Sequence, residues 1–367
     1  MITKENNIHQ PTLIYGAQAI ALGTYKALKT LNPGASIRAF VVTEMGNNPA
    51  TLAGLPVIEL KSFVSSIKPE DKDSIRVLIA TPENVMEPIE KSLAAAGIHN
   101  YERVDSIYWN NLQEKAYLKN GLFTPLSTYE AGEAVAPMQI FKMVHHKDKQ
   151  LKTAYDDPTY VTKLQVGAAK ADSTVANLTD NTLDNISEKN PNYSELTGLY
   201  WIWKNKVNKA AEDTFFGLAH YRRFLDFSKE DTKKNLTNAI DVVLPYPMPY
   251  EPNIKEHHKR YLSHQEWDAV LQAMQELQPA YYKALDSILS QEYLYNYNIF
   301  LAKKDVFDDY CSWLFPLLFR IEQIVDPTGK REPNRYIGYI GETLETVYFM
   351  FNKDKLKIAH TGCRFLV

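Results

Sequence analysis

The side chains best suited to chemistry gather in the second half of the chain. Gly217-Leu-Ala-His220-Tyr221-Arg222-Arg223-Phe224 follows an apolar run and sets two guanidinium groups beside a histidine and a tyrosine. Paired arginines at a strand end fit a diphosphate, because each planar fork can donate two parallel hydrogen bonds to phosphate oxygens. The plainer alternative is surface pairing with acids. Val144-His145-His146-Lys147-Asp148-Lys149 closes another apolar run. His145 and Lys147 can face phosphates there, or the segment is simply a solvated loop. Adjacent histidines without further ligands at set spacing do not define a metal site. Gln165-Val-Gly167 precedes Asp180, Asp184 and Asn185. Gly167 permits close backbone approach, while Gln165, Asp184 and Asn185 offer short, directional hydrogen bonds to hydroxyls or a uracil edge. Turn chemistry favours the same residue types. Ser194, Glu195, Tyr200 and Trp201 combine hydroxyl, carboxylate and aromatic faces that suit a sugar, although helix capping alone explains Glu195.

The elements that must hold these groups alternate. Apolar runs at Thr12–Tyr15, Ile37–Thr43, Leu55–Leu60, Arg76–Ala80 and His99–Val104 read as strands. Helical spacing joins Ile20, Leu22, Tyr25 and Leu28, and a second helix over Val85–Ala96 stops at Gly97. This alternation implies a parallel sheet with helices on its faces. Residues 118–137 have little periodicity and two prolines, and read as a linker between domains at 1–117 and 138–367. Beyond it, strands are expected at Met138–Val144, Phe215–Leu218, Asp241–Leu244, Asn298–Ala302 and Ile358–His360. Asn190-Pro191 should cap and open one helix through Trp203. Pro316 should kink or divide the long helix carrying Phe307, Leu314 and Ile321.

Composition narrows the classes. The 367 residues allow two ordinary domains, and a net charge of −3 gives no reason to expect nucleic acid. Two cysteines imply neither a disulfide framework nor a metal site. The N-terminus, MITKENNIHQ, lacks an apolar signal core, and no apolar run of about eighteen residues occurs, so the cytosol is expected. Twenty-three tyrosines and five tryptophans leave ample aromatic surface for either core packing or sugar rings.

The first βα turn has Gly16 where a dinucleotide site has its first glycine. Gln18 occupies the second glycine position, Ala21 the third, and Glu44 sits where an acid would grip a ribose. The setting is right, but the long Gln18 side chain opposes close phosphate approach. A scaffold that binds nothing is the simpler expectation. This segment resembles the small N-terminal domains of sugar acyltransferases and other Rossmann-like modules.

Longer strings carry a more specific resemblance. DNISEKNPNYSELTGLYWIWKN, GLAHYRRF, YNYNIFLAKKDVFDDYCSWLFPLLF and the ending GCRFLV resemble a family of bacterial capsular-polysaccharide glycosyltransferases first defined as a domain of unknown function, over about residues 138–367. That resemblance implies an α/β chain, with the N-terminal Rossmann-like parallel-sheet domain followed by a GT-A-like glycosyltransferase domain. It also implies a UDP-sugar donor, galactofuranose in some members, and a glycan or lipid-linked oligosaccharide acceptor. Peripheral contact with the inner membrane face is then conceivable through His257-His-Lys-Arg-Tyr261, which also reads as a solvated helix face. Where the family has Ser-Glu-Arg in a late helix, this chain has Gly341-Glu342-Thr343.

GT-A enzymes commonly hold a metal with Asp-x-Asp. Asp156-Asp157 lies before Pro158 and Asp308-Asp309 on an amphipathic helix, so neither makes that motif. His220, Arg222 and Arg223 are expected to stabilise the leaving diphosphate instead, and no metal cofactor is called for. For an inverting transfer, Glu342 is the first candidate base and Glu195 the second; a retaining transfer needs neither. Tyr200, Trp201 and Asn298 are the expected acceptor contacts. A nicotinamide-dependent sugar-modifying enzyme and a non-catalytic scaffold of a polysaccharide assembly complex remain the alternatives.

Overall fold

The computed structural model describes residues 10–152, 155–228 and 230–367. They divide into two compact units. One takes the chain to Thr124, with Met248–Glu251 and Val367; the other takes Pro125–Pro247 and Pro252–Leu366.

The first unit is built on a sheet ordered 51–52, 55–59, 37–42, 12–15, 76–79, 101–103. All neighbours are parallel except the short hairpin of 51–52 with 55–59. Leu13, Tyr15, Val41, Val77 and Ile79 bury one face together with Ile89 and Leu93 from the helix Met86–Ala95. Gly16 has φ +122°, and a Cβ there would lie 2.6 Å from Ala80 O, so the strand end requires glycine. Gln18 turns its amide to Asn48, at 2.8 Å, and Glu44 is exposed. The helix Ser106–Asn120 has no clean apolar stripe, since Asn110 and Gln113 are buried beside Trp109 and Leu112. Its periodicity is therefore silent, and it runs into the segment read as a linker. Further along that segment, Leu126 and Ala136 are buried in the second unit's core.

The second unit has a mixed sheet ordered Ile358–Thr361, Val242–Pro245, Leu301–Lys303, Phe215–His220, Met138–Val144, Val161–Gln165, Leu178–Thr179. Leu301–Lys303 runs antiparallel to both neighbours; the others are parallel. A ribbon of Arg223–Leu225 and Cys363–Phe365 continues from His220. Pairing of Val144 with Gln165 and of His220 with Met143 brings three parallel strands to an end at one level. Ligands of open α/β sheets bind at such carboxyl ends.

Three sequence expectations change here. The expected helix from Asn190 breaks into Asn190–Tyr193 and Leu196–Asn205, with Ser194 at φ +51° between them. Asn190 caps no helix start; its amide donates to Ser194 O and Thr197 Oγ1, fastening the break. Pro316 divides nothing. The helix Lys304–Val325 is continuous, because Pro316 and Ser312 are exposed and water can take the freed carbonyl. The expected strand Asn298–Ala302 starts only at Leu301, after Tyr297 and Asn298 adopt φ of +77° and +49°.

Candidate active site

A cleft of about 550 Å³ opens where the three strands end. The turn after Met138–Val144 supplies His145, Lys147 and Asp148; the turn after Phe215–His220 supplies Tyr221, Arg222 and Arg223. Ser194 and Glu195 enter from the helix break, and Arg335 from the residue preceding the helix Tyr336–Phe351. Four cationic side chains, Lys147, Arg222, Arg223 and Arg335, thus face two carboxylates, Asp148 and Glu195.

His145 is fixed by its own turn. Its backbone N–H donates to Asp148 Oδ2 at 2.7 Å, and its Nδ1 accepts from the Lys147 N–H at 3.2 Å. Burial, then His146 and Lys147, lower its pKa, so the ring is neutral. Burial also lowers the pKa of His220. A carbonyl can only accept, so the 2.6 Å contact with Tyr297 O makes His220 Nε2 the donor and leaves Nδ1 as an acceptor. Arg222 Nε is buried and finds no acceptor among the described residues. Such orphaned donors call for a ligand or water. The Arg223 guanidinium lies 4.3 Å from the Tyr297 ring centre and 4.8 Å from that of Phe365. Arg335 has φ +65°, and its Nε donates to Ser194 Oγ at 3.1 Å. Two residues in the left-handed region, Ser194 and Arg335, therefore meet on one wall, the kind of strain found at ligand sites.

Carboxylates collect beside this wall. Glu195 is 8% exposed, and its Oε1 accepts from Asn298 Nδ2 at 2.6 Å. Burial and the nearness of Glu195 push the Glu342 pKa up to about 7, against donation from Asn296, the Tyr297 backbone and the charge of Arg223. Glu345, one turn on, is fully buried with neither oxygen hydrogen-bonded among the described residues. Burial, then Glu342 and Glu195, drive its pKa far above the carboxylate range, so it is a neutral acid.

Of the residues singled out by sequence, His145, Lys147, Glu195, His220, Arg222 and Arg223 line the cleft. Glu342 reaches the same carboxylate group without lining it. The others take supporting positions. Gln165 is 1% exposed, donating to Ser173 O and accepting from Val175 N. Gly167, at φ +65°, donates its N–H to the buried Asp180. Asp184 accepts from the Tyr200 hydroxyl at 3.1 Å. Asn185 donates to Leu183 O and accepts from Ser187 N, which is turn chemistry. Trp201 is 1% exposed and donates to Thr182 O, so its faces are closed to a sugar ring. Tyr200 packs edge-on against Trp203 and Phe315. Asn298 is fully buried and orients Glu195. None of these seven lines the cleft, and the structure shows them serving turns, core packing and carboxylate orientation.

Sequence reasoning missed Arg335, Asp148 and Glu345. Arg335 immediately precedes the helix that carries Glu342, with a backbone turn that breaks helical spacing, and no sequence pattern marks it. The candidate metal aspartates are engaged elsewhere. Asp157 pairs with Lys142 at 2.6 Å, and Asp308 accepts from the Trp203 indole at 2.6 Å.

Comparison with known proteins bears on this geometry. The family model described as a domain of unknown function (DUF4422) matches residues 139–353. No curated protein matches the chain. Among solved structures, the apo form of WbbM, a bifunctional glycosyltransferase, superposes with a TM-score of 0.54 at 27% identity. The match covers 62% of this chain and 45% of WbbM, so the chain spans under half of that protein's length. Core-mannan synthase A from Aspergillus fumigatus, in its Mn/GDP form, aligns at a TM-score of 0.19 and 11% identity, too distant to bear on the fold. The fold is α/β, a Rossmann-like unit followed by a GT-A-like one.

Proposed function

We propose a function for a chain that belongs to the DUF4422 family: it is a glycosyltransferase that moves a sugar from a UDP-sugar to a glycan acceptor. The observation that carries this reading is the cationic cleft at the strand ends, with an unpaired Arg222 Nε and a group of carboxylates at its edge. The similarity to WbbM, a bifunctional glycosyltransferase, supports the same reaction class. The strings that resemble capsular-polysaccharide enzymes support a surface glycan as acceptor and make galactofuranose the first donor sugar to try. Such acceptors are often lipid-linked, which favours work at the cytoplasmic face of a membrane. Among the described residues no helix is long and apolar enough to cross one.

In this reading the donor diphosphate lies against Lys147, Arg222, Arg223 and Arg335. Glu342 takes the proton from the acceptor hydroxyl, and that oxygen forms the new bond to the anomeric carbon. The bond from that carbon to the phosphate oxygen breaks, and UDP departs with the electron pair. Fixed guanidinium groups meet the developing charge without reorganising, which is where electrostatic catalysis gains most. A base with a pKa near 7 is half ionised at neutral pH and still strong enough to accept the proton. His220, neutral and with Nδ1 as an acceptor, takes a hydrogen bond from a hydroxyl of the donor sugar.

A donor screen tests this directly. Purified protein is offered UDP-, GDP- and dTDP-sugars, and released nucleotide is measured. Release from UDP-sugars is the expected result. Calorimetric binding of NAD with none of UDP would overturn it in favour of a nicotinamide-dependent enzyme.

A further inference from the structure

The His257–Tyr261 segment, read from sequence as a basic patch, has a different character in the fold. Burial pushes the pKa of both His257 and His258 down to about 4, so neither is charged near neutral pH. His258 stacks on Trp267 with ring centres 3.6 Å apart. Lys259 pairs with Glu256 at 2.5 Å. What the segment presents outward is Tyr261, 50% exposed, buttressed by the edge of His257 at 5.2 Å.

Tyr261 has one aromatic neighbour that matters. Its ring centre lies 5.2 Å from that of Tyr339, with the planes inclined by 32°. Tyr339 and Glu342, three residues apart, share a face of the helix Tyr336–Phe351, and Arg335 immediately precedes its first turn. Arg335 lines the cleft, and its guanidinium lies 5.9 Å from the Tyr339 ring centre. At the other end, the part-buried Tyr297 ring lies under the Arg223 guanidinium, 4.3 Å from its centre, and Glu342 and Tyr261 are near enough to act on its phenol. The aromatic pair therefore adjoins both the cationic wall and the carboxylate that would accept a proton.

We propose that Tyr261 and Tyr339 form the platform on which a sugar ring of the acceptor glycan stacks, presenting its hydroxyl to Glu342. This rests on the glycosyltransferase reading of the cleft. The chemistry fits a sugar better than a peptide or a lipid chain. Tyr261 is half exposed and its ring is inclined to that of Tyr339, so the pair offers an aromatic surface to the C–H face of a pyranose or furanose. A lipid chain would require a continuous apolar trough, and here the platform is flanked by Arg335 and Glu342. The donor end of the site is cationic and the acceptor end aromatic, as expected when one substrate carries the charge and the other does not.

The test uses the full-length protein and four variants, Tyr261→Ala, Tyr339→Ala, Tyr261→Phe and Tyr339→Phe. The acceptor probes are methyl and octyl glycosides of galactose, glucose and N-acetylglucosamine, with UDP-sugar as donor. Loss of either ring should raise the acceptor KM roughly tenfold, with UDP affinity held within about a factor of two. The phenylalanine variants should keep most of the affinity, because the ring face remains. Saturation-transfer NMR with the best glycoside gives a readout independent of turnover: transfer seen with wild type should fall in Tyr261→Ala, which alters only an exposed side chain. Unchanged acceptor KM and unchanged transfer in Tyr261→Ala would overturn the platform. So would loss of binding to phosphatidylglycerol vesicles with acceptor KM intact, which would assign Tyr261 to a membrane contact. A wild type that binds no UDP defeats the donor reading instead, and the NMR arm still decides whether the glycoside meets Tyr261.

Discussion

Arg222 and Arg223 are neighbours in sequence but differ in what surrounds them. Both guanidinium groups lie over aromatic rings, Arg222 over Tyr221 and Phe365 and Arg223 over Tyr297 and Phe365, but Arg223 sits beside the carboxylates, whereas Arg222 keeps a buried Nε with no acceptor among the described residues. Arg222→Ala should therefore lower turnover with a smaller fall in melting temperature than Arg223→Ala, which should lower both clearly. Removing a charge-assisted contact to a diphosphate should cost about 2–4 kcal/mol in the transition state, or roughly 30- to 1000-fold in rate. Lysine at position 222 should restore only part, since it lacks the planar fork. Turnover and thermal unfolding on the same variants separate the two residues. Glu342 gives a pH test. As a base it must be ionised, so kcat/KM should rise with pH through about 7 and level off above it. Glu342→Gln should abolish turnover and keep UDP binding. Its pKa is raised from the ordinary value of 4.5, so the folded state holds a proton that the unfolded state releases. That stabilisation is complete below the unfolded carboxylate's pKa and is lost as pH rises through about 7. The melting temperature of the native protein should thus fall relative to Glu342→Gln as pH goes from about 5 to about 8. At this scale the arginines and histidines were legible, because chemically rich residues directly after apolar runs mark strand ends. Arg335 and Tyr339 were not, since only the fold carries them to Ser194 and Tyr261, far earlier in the chain.

Among the elements, the wall carrying Ser194 and Glu195 depends on one buried carboxylate. Asp180 accepts from the backbone of Gly167 and Ala168 and from the hydroxyls of Ser187 and Thr197. It joins the end of one strand, the 187–189 turn and the start of the helix Leu196–Asn205. Asp180→Ala would leave four donors without their acceptor in a buried place, at a cost of about 3–5 kcal/mol. A fall of several degrees in melting temperature is expected, with UDP affinity lost alongside it; an unchanged unfolding curve would contradict this role. The sequence placed Asp180 among turn residues and could not single it out, because its partners are spread over thirty positions. Period and punctuation located the strands at Thr12–Tyr15 and Met138–Val144 to the residue and found the helix Ala19–Leu31 between the first two strands. They failed where long-range bonds overrule local preference, as at the helix break over Ser194. They failed also at Pro316, where what matters is which helix face meets water.

The whole molecule comprises two compact units, and the cleft belongs entirely to the second. Leu126 and Ala136 lie in that unit's core, and Pro125 bridges to His360. A fragment of residues 125–367 should therefore fold and bind UDP, while one starting at Met138 should be less stable for want of those buried side chains. UDP binding by residues 1–124 alone would show the site to lie in the other unit. The central claim is that guanidinium groups, rather than an acidic metal site, hold the donor diphosphate, and calorimetric titration of UDP in EDTA tests it most directly. The native protein should bind UDP in EDTA, and an Arg222→Ala/Arg223→Ala double variant that remains folded should not. Binding that appears only on adding manganese, or that survives unchanged in the double variant, would contradict the claim.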